Sequence, residues 1–370
     1  MNVLSCALRQ AAATLGVLAL LAGLSVIPST PAAAAPAQAW GYVWGDQPTA
    51  ASYTPSFAYQ FNSTNNLNTI AHGADPGAYR ITFPGLGTAG GGTVHVTSYG
   101  GATEQCKVSS WWPSGSNLLV DVRCFNLGGT PADSRFTATY TSKPSGSTPM
   151  GYVWNDRLSC GWTGCSYTPS AGYQFNSAGA SNTITWNSTG DYAVRLPFLA
   201  APSGHVQVTA YGGGSERCKV VGWGPTGADQ LVNVRCFNST GGLTDSLFTV
   251  TYVKGASIVG SAPYVFGHAY VWADQPTSLS YTPNTAYQFN STYQFNKVTR
   301  RNLGQYAITL PSQNLSWGDV QVTAYGSGAE FCKVSYWTPS DGVIVNCFNA
   351  SGSPTDTKFD AAFLFSELIF

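Results

Sequence analysis

Residues 106–124 read CKVSSWWPSGSNLLVDVRC, and the two cysteines that bracket this stretch decide how the chain is read. Their midpoint is Gly115, inside the turn residues Pro113-Ser114-Gly115-Ser116. After the turn, Val120, Val122 and Cys124 alternate with polar residues, the period of a β-strand. A β-hairpin with cross-linked strands has this arrangement. The stretch occurs twice more. Cys218 and Cys236 centre on Gly227, beside Pro225 and Thr226. Cys332 and Cys347 centre between Pro339 and Ser340, beside Asp341-Gly342. The midpoints stay on turn residues although the spacing falls from 18 to 15. Three hairpin disulfides are therefore predicted: Cys106–Cys124, Cys218–Cys236 and Cys332–Cys347. Each closed loop contributes about 3 kcal/mol by restricting the unfolded chain.

Outward from the hairpins, the whole chain repeats. Tyr42-Val43-Trp44 recurs as Tyr152-Val153-Trp154 and Tyr270-Val271-Trp272, and Ser52-Tyr53-Thr54-Pro55 recurs from Ser166 and Ser280. Tyr59-Gln60-Phe61-Asn62-Ser63 recurs from Tyr173 and Tyr287, and Cys124-Phe125-Asn126 from Cys236 and Cys347. A repeat of this length suits a complete domain. Alternation runs through Phe57, Tyr59 and Phe61, through Tyr79, Ile81 and Phe83, and through Phe136, Ala138 and Tyr140. No stretch has a helical period. The expected fold is all-β: three tandem two-sheet β-sandwiches, immunoglobulin-like or jelly-roll, each with one hairpin disulfide. The copies span 40–142, 149–255 and 264–370. Thr141 to Pro149 reads as a flexible linker and Lys254 to Gly267 as a more apolar one. Beads on a string is the default arrangement, each copy folding alone.

The chain has 370 residues, of which only 9% are charged and 13% aromatic. Residues 1–39 read as a signal peptide: Arg9, an apolar run from Ala11 to Ile27, then Ala37-Gln38-Ala39 as a cleavage site. Without Arg9 the chain carries 16 bases against 17 acids, a net charge of −1. No basic stripe exists to neutralise phosphates, so nucleic acid is not an expected partner. No second apolar span follows, so a secreted, extracellular protein with no membrane span after leader cleavage is expected. Removal of Cys6 leaves eight cysteines, and an even count in an exported chain points to disulfides. The remaining pair, Cys160 and Cys165, is predicted to staple a loop peculiar to the second copy.

The Y-V-W, S-Y-T-P, Y-Q-F-N, C-K-V and C-F-N blocks together resemble secreted tandem-repeat proteins of actinomycete bacteria, over nearly all of the chain beyond the leader. The resemblance implies export and a bacterial source, and carries no activity. The six N-x-S/T sequons matter only in a glycosylating host and are discounted because the Ala-rich leader looks bacterial.

Three kinds of chemistry compete. The histidines His72, His95, His205 and His268 do not recur between copies, so they read as surface or loop residues. No metal site or cofactor is expected, since no CxxC pair or Cys/His constellation exists. Three acids do recur: Asp46, Asp156 and Asp274; Asp133, Asp245 and Asp356; Glu104, Glu216 and Glu330. A pair of them would serve a hydrolase, but the two aspartate sets sit at strand ends, where Asp bonds the backbone of turns. Binding is the favoured reading. In an unbroken hairpin Lys107 faces Arg123, and Trp111 faces Leu119, on the side away from Cys106 and Val108. The other copies offer Lys219, Arg235 and Trp223, and Lys333, Asn346 and Trp337. A Trp plane beside polar groups is suited to gripping a sugar; the plainer reading is a Trp covering a loop. The sequence therefore points to a non-enzymatic, multivalent binding protein for cell-wall or environmental polysaccharide. A structural surface or extracellular-matrix component is the runner-up, and a secreted hydrolase using the repeated acids is third.

Overall fold

Each repeat folds into nine strands. In the first these are β1 Ala39–Gly45, β2 Ser52–Tyr53, β3 Gln60–Asn62, β4 Thr69–His72, β5 Ala78–Phe83, β6 Thr93–Tyr99, β7 Gln105–Ser114, β8 Asn117–Phe125 and β9 Arg135–Ser142. The second has β10 Met150–Asn155, β11 Cys165–Tyr167, β12 Gln174–Asn176, β13 Thr183–Ser188, β14 Asp191–Leu196, β15 His205–Tyr211, β16 Arg217–Thr226, β17 Asp229–Phe237 and β18 Leu247–Val253. The third has β19 Gly267–Ala273, β20 Ser280–Tyr281, β21 Gln288–Asn290, β22 Lys297–Asn302, β23 Gln305–Thr309, β24 Asp319–Tyr325, β25 Phe331–Thr338, β26 Gly342–Phe348 and β27 Lys358–Phe365. The computed structural model describes residues 38–144, 146 and 148–367. Residues 1–37 of the leader, Ser145 and Ser147 of the first linker, and residues 368–370 lie outside the described residues.

The strands form three nine-stranded sheets, and each sheet draws on two repeats. Five strands of repeat 1 (β2, β4, β5, β8, β7) continue into four of repeat 2 (β15, β18, β10, β12). Five of repeat 2 continue into four of repeat 3, and five of repeat 3 into four of repeat 1. The three junctions are parallel and equivalent: Val108 pairs with Tyr211, Val220 with Tyr325, and Val334 with Tyr99. At each, a glycine N–H of the receiving strand's end donates to the valine carbonyl: Gly212 to Val108 (3.0 Å), Gly326 to Val220 (2.8 Å), Gly100 to Val334 (2.9 Å). The ring closes on itself. The expectation of three separate two-sheet domains, strung as beads, is corrected accordingly. Each repeat does keep a core between its own four-strand and five-strand groups, as Val43, Val96 and Phe136 pack with Ile81, Val108 and Val122. But both groups run on into a neighbour.

A fourth core lies where the three repeats meet. Trp40, Tyr42 and Phe61 join Met150, Tyr152 and Val253, together with Tyr270, Ala362 and Leu364. Ile258 and Val259 of the second linker are buried there as well, which accounts for that linker's apolar character. Next to this apolar core the repeats meet through polar side chains. His95 bonds Thr209 Oγ1 (3.1 Å) and Thr251 Oγ1 (2.7 Å) of repeat 2. Thr97 Oγ1 donates to Gln321 Oε1 of repeat 3 (2.8 Å), and Thr137 Oγ1 to the Val320 carbonyl (2.7 Å). His205 lies 3.7 Å from Asp360, both fully buried. His95 and His205 are thus interior residues, not surface ones. Burial pushes both imidazoles down to about 3, with His205 adding to the effect on His95, so they stay neutral.

All four expected disulfides are present, Cys160–Cys165 included. They place the chain in an oxidising compartment. Peptide mapping without reductant is expected to return these four pairs and no bridge between repeats. Among the described residues no helix is long and apolar enough to cross a membrane.

Candidate functional site

The hairpin strands decide where the expected binding residues go. The unbroken register holds from Cys106–Cys124 to Val108–Val122, and then β7 carries an extra residue, so that Ser110 pairs with Asp121 and Trp111 with Val120. A one-residue bulge reverses the side that every later side chain faces. Trp111 therefore turns inward with Val108, and Trp112 takes the place opposite Leu119. The same bulge occurs after Val220 and after Val334. The expectation of three outward tryptophans is corrected: Trp111 and Trp337 are buried and Trp223 is partly buried, packed against the core of repeat 2.

Each of these tryptophans enters an aromatic cage built by the next repeat. Trp111 meets Trp154, Tyr173 and Tyr211 at ring-centre distances of 5.7, 5.5 and 5.4 Å. Trp223 meets Trp272, Tyr287 and Tyr325 at 5.5, 5.7 and 5.6 Å. Trp337 meets Trp44, Tyr59 and Tyr99 at 5.9, 5.6 and 5.6 Å. Most of these contacts are edge-to-face, the favourable arrangement for aromatic rings.

The lysines precede the bulge and keep the other side. Lys107, Lys219 and Lys333 are 2–4% exposed. Lys107 Nζ bonds Glu216 (2.9 Å), Lys219 bonds Glu330 (3.0 Å), and Lys333 reaches Glu104 (3.5 Å) and two backbone carbonyls. Every pair joins one repeat to the next. Burial pulls Lys333 down to about 8, against the opposing effect of Glu104. All six residues line one pocket where the three repeats meet. The remaining candidates do not join it. Arg123 lies 3.7 Å from Asp75, Arg235 bonds Asp191 (2.7 Å), and Asn346 accepts from Gln305 (3.1 Å).

The repeated aspartates before the last strands act as turn clamps. Asp133 accepts from Gly77 N (2.7 Å) and Tyr79 Oη (3.3 Å), Asp245 from Gly190 N (2.8 Å) and Tyr192 Oη (3.1 Å), and Asp356 from Gly304 N (2.9 Å) and Tyr306 Oη (3.1 Å). A third partner varies with the repeat: His72, Trp186 or Arg300. The clamp persists while the donor's chemistry changes, as befits a structural role.

The exposed aromatics lie elsewhere, in loops that pattern reading passed over. Three non-glycine residues with left-handed backbone are aromatic: Phe198 (φ 61°), Tyr264 (φ 66°) and Tyr293 (φ 61°). Bulky side chains rarely adopt this conformation, which costs on the order of 1 kcal/mol or more. All three are more than half exposed, Tyr293 at 92%. Neither packing nor backbone preference explains them. Tyr293 follows β21, where repeat 1 has Asn65 and repeat 2 has Gly179 in the same conformation. Phe295, 66% exposed, is on the same loop. Tyr264 and Phe266 lead into β19, whose His268 N–H donates to Ser291 Oγ of that loop (3.1 Å). Repeat 3 thus carries four exposed aromatics, on the segment before β19 and on the loop after β21. The signal was readable: the copies align as NSTNNLN, NSAGASN and NSTYQFN, and aromatics enter only the third. Trp162, 70% exposed, stands separately on the loop closed by Cys160–Cys165.

No family model, no curated protein and no solved structure matches this chain.

Proposed function

We propose that this is an extracellular, non-enzymatic binding protein for cell-wall or environmental polysaccharide, and that the aromatic loops of repeat 3 form its contact surface. The observation that carries the reading is Tyr293: a bulky ring held at positive φ and almost wholly in water, where sibling repeats manage with Asn and Gly. Strain and apolar exposure both oppose folding, so a residue that combines them is better explained by a ligand than by stability. Flat aromatic rings stack on the C–H faces of sugars, and Gln294 and the exposed Lys297 beside them supply polar contacts. The four disulfides and the closed ring of sheets also suit a structural surface component, which is the second reading.

Retention on a panel of insoluble polysaccharides tests the proposal. Tyr293→Asn, the residue of repeat 1, is expected to weaken retention roughly fivefold to tenfold, about 1 kcal/mol. It should leave the melting temperature unchanged or slightly raised, because Asn accepts the left-handed backbone. A wild-type chain held by no polysaccharide, or a variant held equally well, would refute the reading.

A further inference from the structure

The pocket lined by the three lysines holds a seventh charge that its own neighbours do not balance. The three Lys–Glu pairs cancel one another. Arg217 remains, at the position occupied by Gln105 in repeat 1 and Phe331 in repeat 3. It is 9% exposed. Its guanidinium lies 4.9 Å from the centre of the Phe331 ring. Nη2 donates to the Ala329 carbonyl (3.3 Å), while Nε and Nη1 are buried without an acceptor. Burial lowers its basicity to about 10, partly offset by Glu330. Buried charged donors without acceptors are costly, and such a group in a folded protein is normally completed by water or an ion.

We propose that this pocket is a binding site for a small oxyanion, sulfate or phosphate, free or as an ester on a larger molecule. The site is distinct from the aromatic loops. Its volume is about 80 Å³. That is space enough for water or for one small tetrahedral anion. Planar guanidinium groups bind such anions through paired N–H donors. The Lys107, Lys219 and Lys333 ammonium groups border the same space and offset the repulsion of Glu104, Glu216 and Glu330.

Isothermal titration of the full mature chain with sodium sulfate, against sodium chloride at equal ionic strength, tests this. Saturable binding is expected for sulfate, competed by inorganic phosphate. Arg217→Gln places in repeat 2 the side chain that repeat 1 already carries. It should weaken sulfate binding at least tenfold while leaving the melting temperature in chloride within a degree or two. Glucose 6-sulfate separates the two sources: displacement of bound sulfate means the pocket admits an ester, and no displacement confines the site to the free ion. No saturable sulfate binding, or equal affinity in Arg217→Gln, would overturn the proposal and leave Arg217 solvated by water alone.

Discussion

Trp111→Ala is expected to destabilise the chain by about 3–5 kcal/mol, as large-to-small changes of a buried Trp do. The ring lies among Trp154, Tyr173 and Tyr211, so its loss opens a cavity and removes three aromatic contacts at once. Its Nε1–H also gives up the Gly91 carbonyl (3.0 Å). For a chain of this length the melting temperature should fall by roughly 5 °C. Trp112→Ala is the paired control. Trp112 lies on the opposite side of β7 beneath Arg80, 5.1 Å from its ring, and should cost less than about 1.5 kcal/mol. The contrast depends on the bulge after Val108. In an unbroken hairpin Trp111 would face outward and Trp112 inward, and the two effects would be exchanged. Thermal denaturation of both variants decides between them. The same holds for Trp223 and Trp337, which fill equivalent cages.

The sequence made some of this legible and hid the rest for physical reasons. Cysteine pairs flanking turn residues located the three hairpins, because a cross-link between antiparallel strands must straddle the turn. The repeated blocks located the strands. The bulge was invisible, since Ser109 and Ser110 are alike and either could be the extra residue. The exchange of strands was hidden for a related reason. Tyr99 has the same alternating neighbours whether β6 ends a sheet or continues into Val334 of repeat 3. His95, whose place is taken by Gln207 and Gln321 in the other repeats, reads as a surface or loop residue. In the structure His95 and Gln321 belong to seams between repeats, and variation there reflects three contacts that need not be alike. The lysines and glutamates were singled out as repeated charges, but pairing between repeats could be recognised only once the ring was closed.

Cut out of the ring, the second repeat loses both of its partners, and this is the largest effect expected. A fragment of residues 149–255 keeps its own core and both disulfides. It loses Trp111 from the cage of Trp154, Tyr173 and Tyr211, and Trp223 is left without Trp272, Tyr287 and Tyr325. Lys219, 3% exposed in the whole chain, loses Glu330, and Met150, Tyr152 and Val253 lose the central core. Both of its sheet groups end in open edges where Tyr211 and Val220 had been paired. Exposed edges and apolar faces favour association or unfolding over a stable monomer. Reading each copy as a bead predicted the reverse. The central claim, that three repeats build one interlocked body, is tested most directly by sedimentation and thermal denaturation of this fragment beside a chain of all three repeats. The account predicts one cooperative transition for the full chain, and for the fragment either an unfolded product or a self-associated one in which copies supply each other's cages. A folded, monomeric fragment with a sharp transition would contradict it.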